Sequence, residues 1–238
     1  MIWNDRLLFL HAPKTAGMSL TRMLMQSLHG HMFMSGDLSD RQKKQGRSFR
    51  KALREQLRER GLVEESKKVA ITYVPGKRHE TLCDAESMLT YRNESVNDFE
   101  KVFSVMRNPY DLELSRYAYL KKGLSVDKGP AQDIALNSSL REYLRSAPFF
   151  GMRPPRLHLY YSFQGSIPAN LIILRYERLA KDIATYMSPF LNDDYALPFE
   201  NRSEHRSYTE EYDAECEALC FNRHRWFFEK GFYEREAF

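Results

Sequence analysis

The chain has 238 residues, 42% hydrophobic and 29% charged, with a formal net charge of +4 at pH 7. That length suits one α/β domain with a sizeable buried core, and the balance excludes a disordered or fibrous class. The charge is too small to imply nucleic acid by itself, and three cysteines (Cys83, Cys216 and Cys220) make no disulfide framework in a chain this long. The expectation is a single domain over 1–238 in a reducing, cytoplasmic setting.

The first apolar run, Leu7 to Leu10 in RLLFLH, is too short for a signal peptide or a membrane span, so it reads as the opening strand. Three similar runs follow: KVAITY (68–73), KVFSVM (101–106) and LIILRY (171–176). None alternates cleanly, as expected of strands covered on both faces of a parallel sheet. Between them, residues 18–28 carry Leu20, Leu24 and Leu28 at helical spacing, and 48–61 carry Phe49, Leu53 and Leu57 before Gly61. Residues 111–123 form a third helical pattern, with Pro109 and Asp111 near its start. From 124 to 170 the pattern weakens, and APFFGMRPPR (147–156) reads as a loop or lid. A final long helix is expected from about Thr209 to Phe228, with Tyr212, Leu219 and Trp226 at seven-residue intervals. Cys216, Cys220 and His224 lie on it; without a fourth ligand they read as two core thiols and a helix-surface histidine. The alternation of strands and helices predicts a three-layer α/β fold with a central, mainly parallel sheet.

The stretch LLFLHAPKTAGMSL joins the first strand to the first helix. Backbone N–H groups in such a turn point inward, and the helix N-terminus adds about half a positive charge. Gly17 admits close approach of a ligand, Lys14 brings a full charge, and Thr15 and Ser19 bring hydroxyl donors. Together they make an anion cradle, although the lysine precedes the lone glycine, so this is not a Walker A loop. After the third run, Arg107 sits at a strand end and Ser115 eight residues on, behind the Asn108-Pro109 turn. The guanidinium can grip a phosphate through two parallel hydrogen bonds, with the serine adding a third. Taken singly, each motif has a plainer reading: a solvated lysine, a helix-capping arginine and a surface serine.

Taken together, they resemble a family. PKTAGMSL is similar to the PKTGGTSL-type 5′-phosphosulfate loop of sulfotransferases that use 3′-phosphoadenosine 5′-phosphosulfate (PAPS), especially the carbohydrate-type and bacterial branch. Arg107-Asn108-Pro109 with Ser115 resembles the 3′-phosphate motif of the same family. ILRYERLAKD (173–182) and ENRSEHRSYTEEYDAE (200–215) resemble its late strand and its last segment. The likeness covers about half the chain. It departs at Ala16, which replaces a glycine and is expected at negative φ or with small strain, and at Met18, which replaces a threonine. The resemblance implies a P-loop-like sulfotransferase fold, with Lys14, Thr15, Ala16, Gly17, Met18, Ser19 and Leu20 around the phosphosulfate and Arg107 and Ser115 on the 3′-phosphate. It also implies that Lys14 neutralises the departing phosphate, with no metal required.

An acceptor hydroxyl must lose a proton, so a general base is needed. His79, in the TYVPGKRHETL segment, resembles the family's Lys/Arg-His-Ala-Thr region and ranks first. His11 reads as orienting the loop; His31 and Glu80 are rivals for the base. Nine basic side chains lie between 41 and 60, either a solvated helix face or a ramp for an anionic, sugar-like acceptor. Tyr117, Tyr119, Phe149, Phe150, Tyr160 and Tyr161 offer flat surfaces for a sugar or a phenol. Neither nucleic acid nor a membrane span is expected as a partner. A P-loop-like kinase and a non-catalytic polyanion-binding module are the competing classes.

Overall fold

In LLFL every residue is buried because each face of the strand meets its own layer. Leu7 and Phe9 pack with Leu20, Met23 and Leu24 of the first helix. Leu8 and Leu10, pointing the other way, pack with Leu82, Ala85 and Leu89. The computed structural model describes residues 1–77, 79–123, 129–198 and 206–238. Its strands are β1 (Ile2–Trp3), β2 (Leu7–Leu10), β3 (His31–Ser35), β4 (Ala70–Val74), β5 (Lys101–Met106) and β6 (Leu171–Arg175). Its helices are α1 (Gly17–Ser27), α2 (Asp40–Glu59), α3 (Val63–Lys68), α4 (Leu82–Thr90), α5 (Pro109–Lys121), α6 (Pro130–Asn137), α7 (Leu140–Ser146), α8 (Leu179–Asp182), α9 (Tyr208–Glu211), α10 (Ala214–Arg223) and α11 (Arg225–Glu229).

The described chain divides into two compact units, Met1–Met106 with Leu159–Glu200, and Arg107–His158 with Asn201–Phe238. The first holds a six-stranded sheet in the order β4-β3-β1-β2-β5-β6. Only β1 is antiparallel to its neighbours, so the sheet is mainly parallel as expected. The four expected strands are present within two residues at each end. β1 and β3 were not anticipated. β1 is two residues long, too short for any periodicity, and Asn4 turns the chain into β2 by accepting from the Leu7 N–H at 2.8 Å. β3 reads HMFMS, and its methionines carry little β-propensity.

Helix α2 starts at Asp40, eight residues before the expected helix. Ser39 and Gln42 form a reciprocal capping box, and that Ser-x-x-Gln signal stands in the sequence. Several of its basic residues are structural. Arg50 is buried and donates to the carbonyls of Leu28 and Gly30, and Arg54 donates to the Val69 carbonyl at 2.7 Å. Arg41, Lys44, Arg47 and Lys51 remain exposed.

The second unit is helical. Its core gathers Tyr110, Leu114, Tyr143, Leu144, Tyr212, Cys216 and Cys220, so both thiols are core residues as expected. The long helix expected over 209–228 is broken twice. Tyr212 adopts extended backbone, Asp213 caps α10 by accepting from the Cys216 N–H at 2.8 Å, and His224 interrupts the chain before α11. An aspartate that can satisfy free helix N–H groups stops one helix and starts another, which the seven-residue spacing did not reveal. His224 is buried rather than on a helix surface, with Nε2 2.7 Å from Glu113 Oε1. Glu113 also accepts from Arg223 at 3.0 Å and from the Tyr143 hydroxyl at 3.0 Å. Although burial alone would raise it, the Arg223 guanidinium, the hydrogen bond with His224 and the nearby Arg116 hold the Glu113 carboxyl far below the usual carboxylate range.

Candidate functional site

The loop from β2 to α1 builds its site from backbone. Lys14 and Ala16 both have φ of +62°, while Thr15 between them is outside the positive region. Left-handed residues on either side of one that is not are the kind of backbone from which an anion-binding nest can be built. Ala16 is therefore in the left-handed region, the strained one of the two alternatives expected. Its methyl costs about 1–2 kcal/mol there, a strain that persists where surrounding structure enforces it. Ala16 is also the N-cap of α1, and it offers no side-chain acceptor; the first turn holds no acidic residue either. Helices α2 and α4, in contrast, both carry complete capping boxes. The amino end of α1 thus has neither a side-chain cap nor an acidic residue in its own first turn to offset its partial positive charge.

Thr15 and Gly17 have roles beyond those read from sequence. The buried Thr15 hydroxyl donates to the Ala12 carbonyl at 2.8 Å, so its proton staples the loop and is not available as a ligand donor. A Cβ on Gly17 would overlap the His11 ring, so the glycine makes room for that histidine as well as for close approach from outside. Ser19 and Leu20 are buried in the first turn of α1, Met18 and Lys14 only partly so.

His11 connects the loop to two further features. The His79 ring meets it edge-on at 4.7 Å between centroids, and His79 Nδ1 lies 3.1 Å from the His11 carbonyl oxygen. His79 is thus brought beside the loop from the segment after β4. His11 also lines a cavity of about 150 Å³ whose wall includes Met18 from the same loop.

The rivals for the base are placed elsewhere. His31 opens β3, with Nε2 2.9 Å from the Thr72 hydroxyl. β3 runs in the same direction as β2, so His31 stands at the amino edge of the sheet and the loop at its carboxyl edge. Five strand residues separate those edges, about 16 Å. Glu80 is buried and bound to the Met1 ammonium and to the Ser35 hydroxyl at 2.6 Å. Residues 200–205 of the ENRSEHRSYTEEYDAE segment lie outside the described residues.

The second motif is built from side chains. Arg107 is buried; its Nε donates to Asp111 at 2.7 Å and its Nη1 to the Ser115 hydroxyl at 3.1 Å. Asn108 caps α5 by accepting from the Tyr110 N–H at 2.9 Å, and Pro109 occupies the first turn. Both predicted partners are together, and Asp111 joins them. That acid was noted only as a helix-start signal, although its position four residues after Arg107 is the spacing of a helical ion pair. Of the expected flat aromatic surfaces, Phe149, Tyr160 and Tyr161 are buried, the last donating to the Val105 carbonyl at 2.8 Å; Phe150 is exposed.

No protein-family model and no curated protein matches the chain. Among solved structures, it is similar to mouse sulfotransferase SULT7A1 complexed with PAP, with a TM-score of 0.51 and 14% identity over 96% of this chain and 85% of that one. The fold is that of a sulfotransferase. The P-loop-like architecture expected from PKTAGMSL is therefore present, while the carbohydrate-type branch is not singled out. Among the described residues, no group of three or more His, Cys, Asp or Glu side chains is arranged to hold a metal ion, and no helix is long and apolar enough to cross a membrane.

Proposed function

We propose that this chain is a sulfotransferase that takes its sulfuryl group from PAPS and passes it to an acceptor hydroxyl. The observation that carries the reading is the uncapped, left-handed loop at Lys14–Ala16, a backbone nest opening onto α1 with a lysine beside it. In this reading Lys14, the loop amides and Ser19 hold the 5′-phosphosulfate, and Arg107 with Ser115 holds the 3′-phosphate. The acceptor oxygen attacks sulfur in line, the bond from sulfur to the 5′-phosphate oxygen breaks, and 3′,5′-adenosine bisphosphate leaves. As in phosphoryl transfer, the protein contributes mainly position and charge stabilisation, and Lys14 meets the charge that grows on the bridging oxygen. The acceptor proton passes to His79. A second reading gives that role to His11, because it is His11 that lines the cavity.

A thermal-shift panel tests the proposal against its competitors. 3′,5′-Adenosine bisphosphate is expected to raise the melting temperature more than ATP with magnesium or heparin. Preference for ATP with magnesium favours a kinase, and preference for heparin a polyanion-binding module; either result removes the sulfotransferase reading. For the base, His79→Ala is expected to lower turnover about 100- to 10,000-fold and to remove the acidic limb of the pH–rate profile, with bisphosphate affinity little changed. Loss of that limb in His11→Ala alone assigns the proton to His11.

A further inference from the structure

The two edges of the sheet are finished differently. At the β6 edge the chain satisfies its own outward groups: the Leu171 N–H donates to the Pro168 carbonyl at 3.0 Å, and the Arg175 N–H to Asp182 at 2.7 Å. At the β4 edge it does not. The Gly36 N–H donates to the Val74 carbonyl at 3.4 Å, so Ala70, Thr72 and Val74 turn their main-chain groups to β3. Ile71 and Tyr73 then turn theirs outward, and among the described residues nothing bonds to them. Within AITYV there is no charge, no proline and no bulge, the usual devices that blunt an edge.

One stripe of α2 runs along this open edge. Lys43, Arg47, Arg54 and Arg58 recur at spacings of four, seven and four, which places them on one side of the helix. Contacts fix which side. The Tyr73 hydroxyl donates to the Lys43 carbonyl at 2.8 Å, and the Arg47 guanidinium lies 5.9 Å from the Tyr73 ring centre. Arg54 donates to the Val69 carbonyl at 2.7 Å, and Arg58 to the Ser66 hydroxyl at 3.4 Å. From Lys43 to Arg58 the helix spans about 22 Å, and five strand residues span about 16 Å, so the cationic row covers the whole strand. None of the four is in an ion pair among the described residues, whereas the nearby acids Glu64 and Asp84 are paired with Lys67 and Lys77.

We propose that the β4 edge is a docking site for an extended acidic segment of a partner protein, added as a seventh strand with its acidic side chains on the α2 side. The main chain of the segment pairs with Ile71 and Tyr73, and its alternate side chains fall beside Lys43, Arg47 and Arg54. A second copy of this chain, paired antiparallel across a two-fold axis, would set its own cationic stripe beside this one, so like charges disfavour it. β4 lies three strand intervals from β2, about 14 Å, so the docking is separate from the Lys14 loop and independent of the sulfotransferase reading.

Fluorescence anisotropy on the full chain tests this with three end-blocked, labelled hexapeptides: Thr-Glu-Thr-Glu-Thr-Glu and its counterparts with glutamine or lysine in place of glutamate. The glutamate peptide should bind about three- to tenfold tighter than the glutamine one, as two or three exposed charge pairs would give, and the lysine peptide should bind weakest. N-methylation of one alternate set of its residues should abolish binding and of the other set should leave it, because only one set faces β4. Arg47→Glu combined with Arg58→Glu, both at exposed positions where folding is not threatened, should erase the charge preference. Equal affinity for the three peptides, no binding by any of them, or the same response to both methylation patterns overturns the proposal. So does sedimentation that finds a dimer which the glutamate peptide dissociates, since the edge then belongs to a second copy.

Discussion

The two candidate anion sites are assembled from opposite materials. At Lys14–Gly17 the candidate donors are backbone N–H groups, in a loop with two left-handed residues and a helix start that has no side-chain cap. At Arg107 they are side chains: a guanidinium held by Asp111 on one side and by Ser115 on the other, beside a helix that Asn108 and Pro109 start in full order. The difference has a physical consequence. A backbone nest keeps its geometry through any one side-chain change and carries partial charge, so it suits an anion whose charge shifts during reaction. A paired arginine is already partly neutralised, so it suits an anion that is held and does not react. The contrast teaches that Lys14 should matter to rate and Arg107 to affinity.

Four substitutions break or sharpen that contrast. The largest effect is expected from Lys14→Ala, which should lower turnover about 100- to 1,000-fold at saturating donor, the usual cost of one preorganised donor. Near-normal turnover would take Lys14 out of the mechanism. Next, Arg107→Ala should weaken 3′,5′-adenosine bisphosphate about 10- to 150-fold while changing 5′-adenosine monophosphate little, since a charge-assisted hydrogen bond is worth roughly 1.5–3 kcal/mol. Calorimetry that finds both nucleotides equally weakened makes the arginine structural. Ser115→Ala removes a neutral donor and should cost about 2- to 12-fold in bisphosphate affinity, corresponding to roughly 0.5–1.5 kcal/mol. A larger loss than for Arg107→Ala would reverse the order of importance within the pair. The smallest effect is expected from Ala16→Gly. Relief of left-handed strain, of about 1–2 kcal/mol, is offset by a more flexible unfolded chain, of about 0.4–1 kcal/mol, for a net gain between zero and about 1.6 kcal/mol. Denaturant unfolding that shows a clear loss of stability would mean that the methyl packs usefully and that the loop is not strained at this residue.

What was legible in the sequence is what local pattern encodes. Strands such as LLFL and KVFSVM announce burial on both faces because hydrophobicity without alternation has few other solutions in a chain of this size. PKTAGMSL and Arg107 with Ser115 announce anion sites because glycine, lysine and arginine act through their own chemistry at short range. The capping box of Ser39 and Gln42 is equally local. The break at Asp213 was harder, because an aspartate inside a helical pattern caps only if the chain turns there.

Sequence by itself determined the parallel α/β class, the loop that follows β2, and the pairing of Arg107 with Ser115 across two turns of helix. Tertiary structure alone decided how a histidine from a distant segment comes to stand beside that loop. His79 lies 68 residues from His11 and reaches it only because β4 and β2 run the same way in one sheet. The same sheet carries His31, just fourteen residues after the loop, to the opposite edge. It also gathers methionines from α1 and β3 around one cavity, with Asp37 on its wall. Nearness along a chain is a poor guide there, because a strand of five residues moves its two ends about 16 Å apart while its hydrogen bonds bring distant segments within 5 Å.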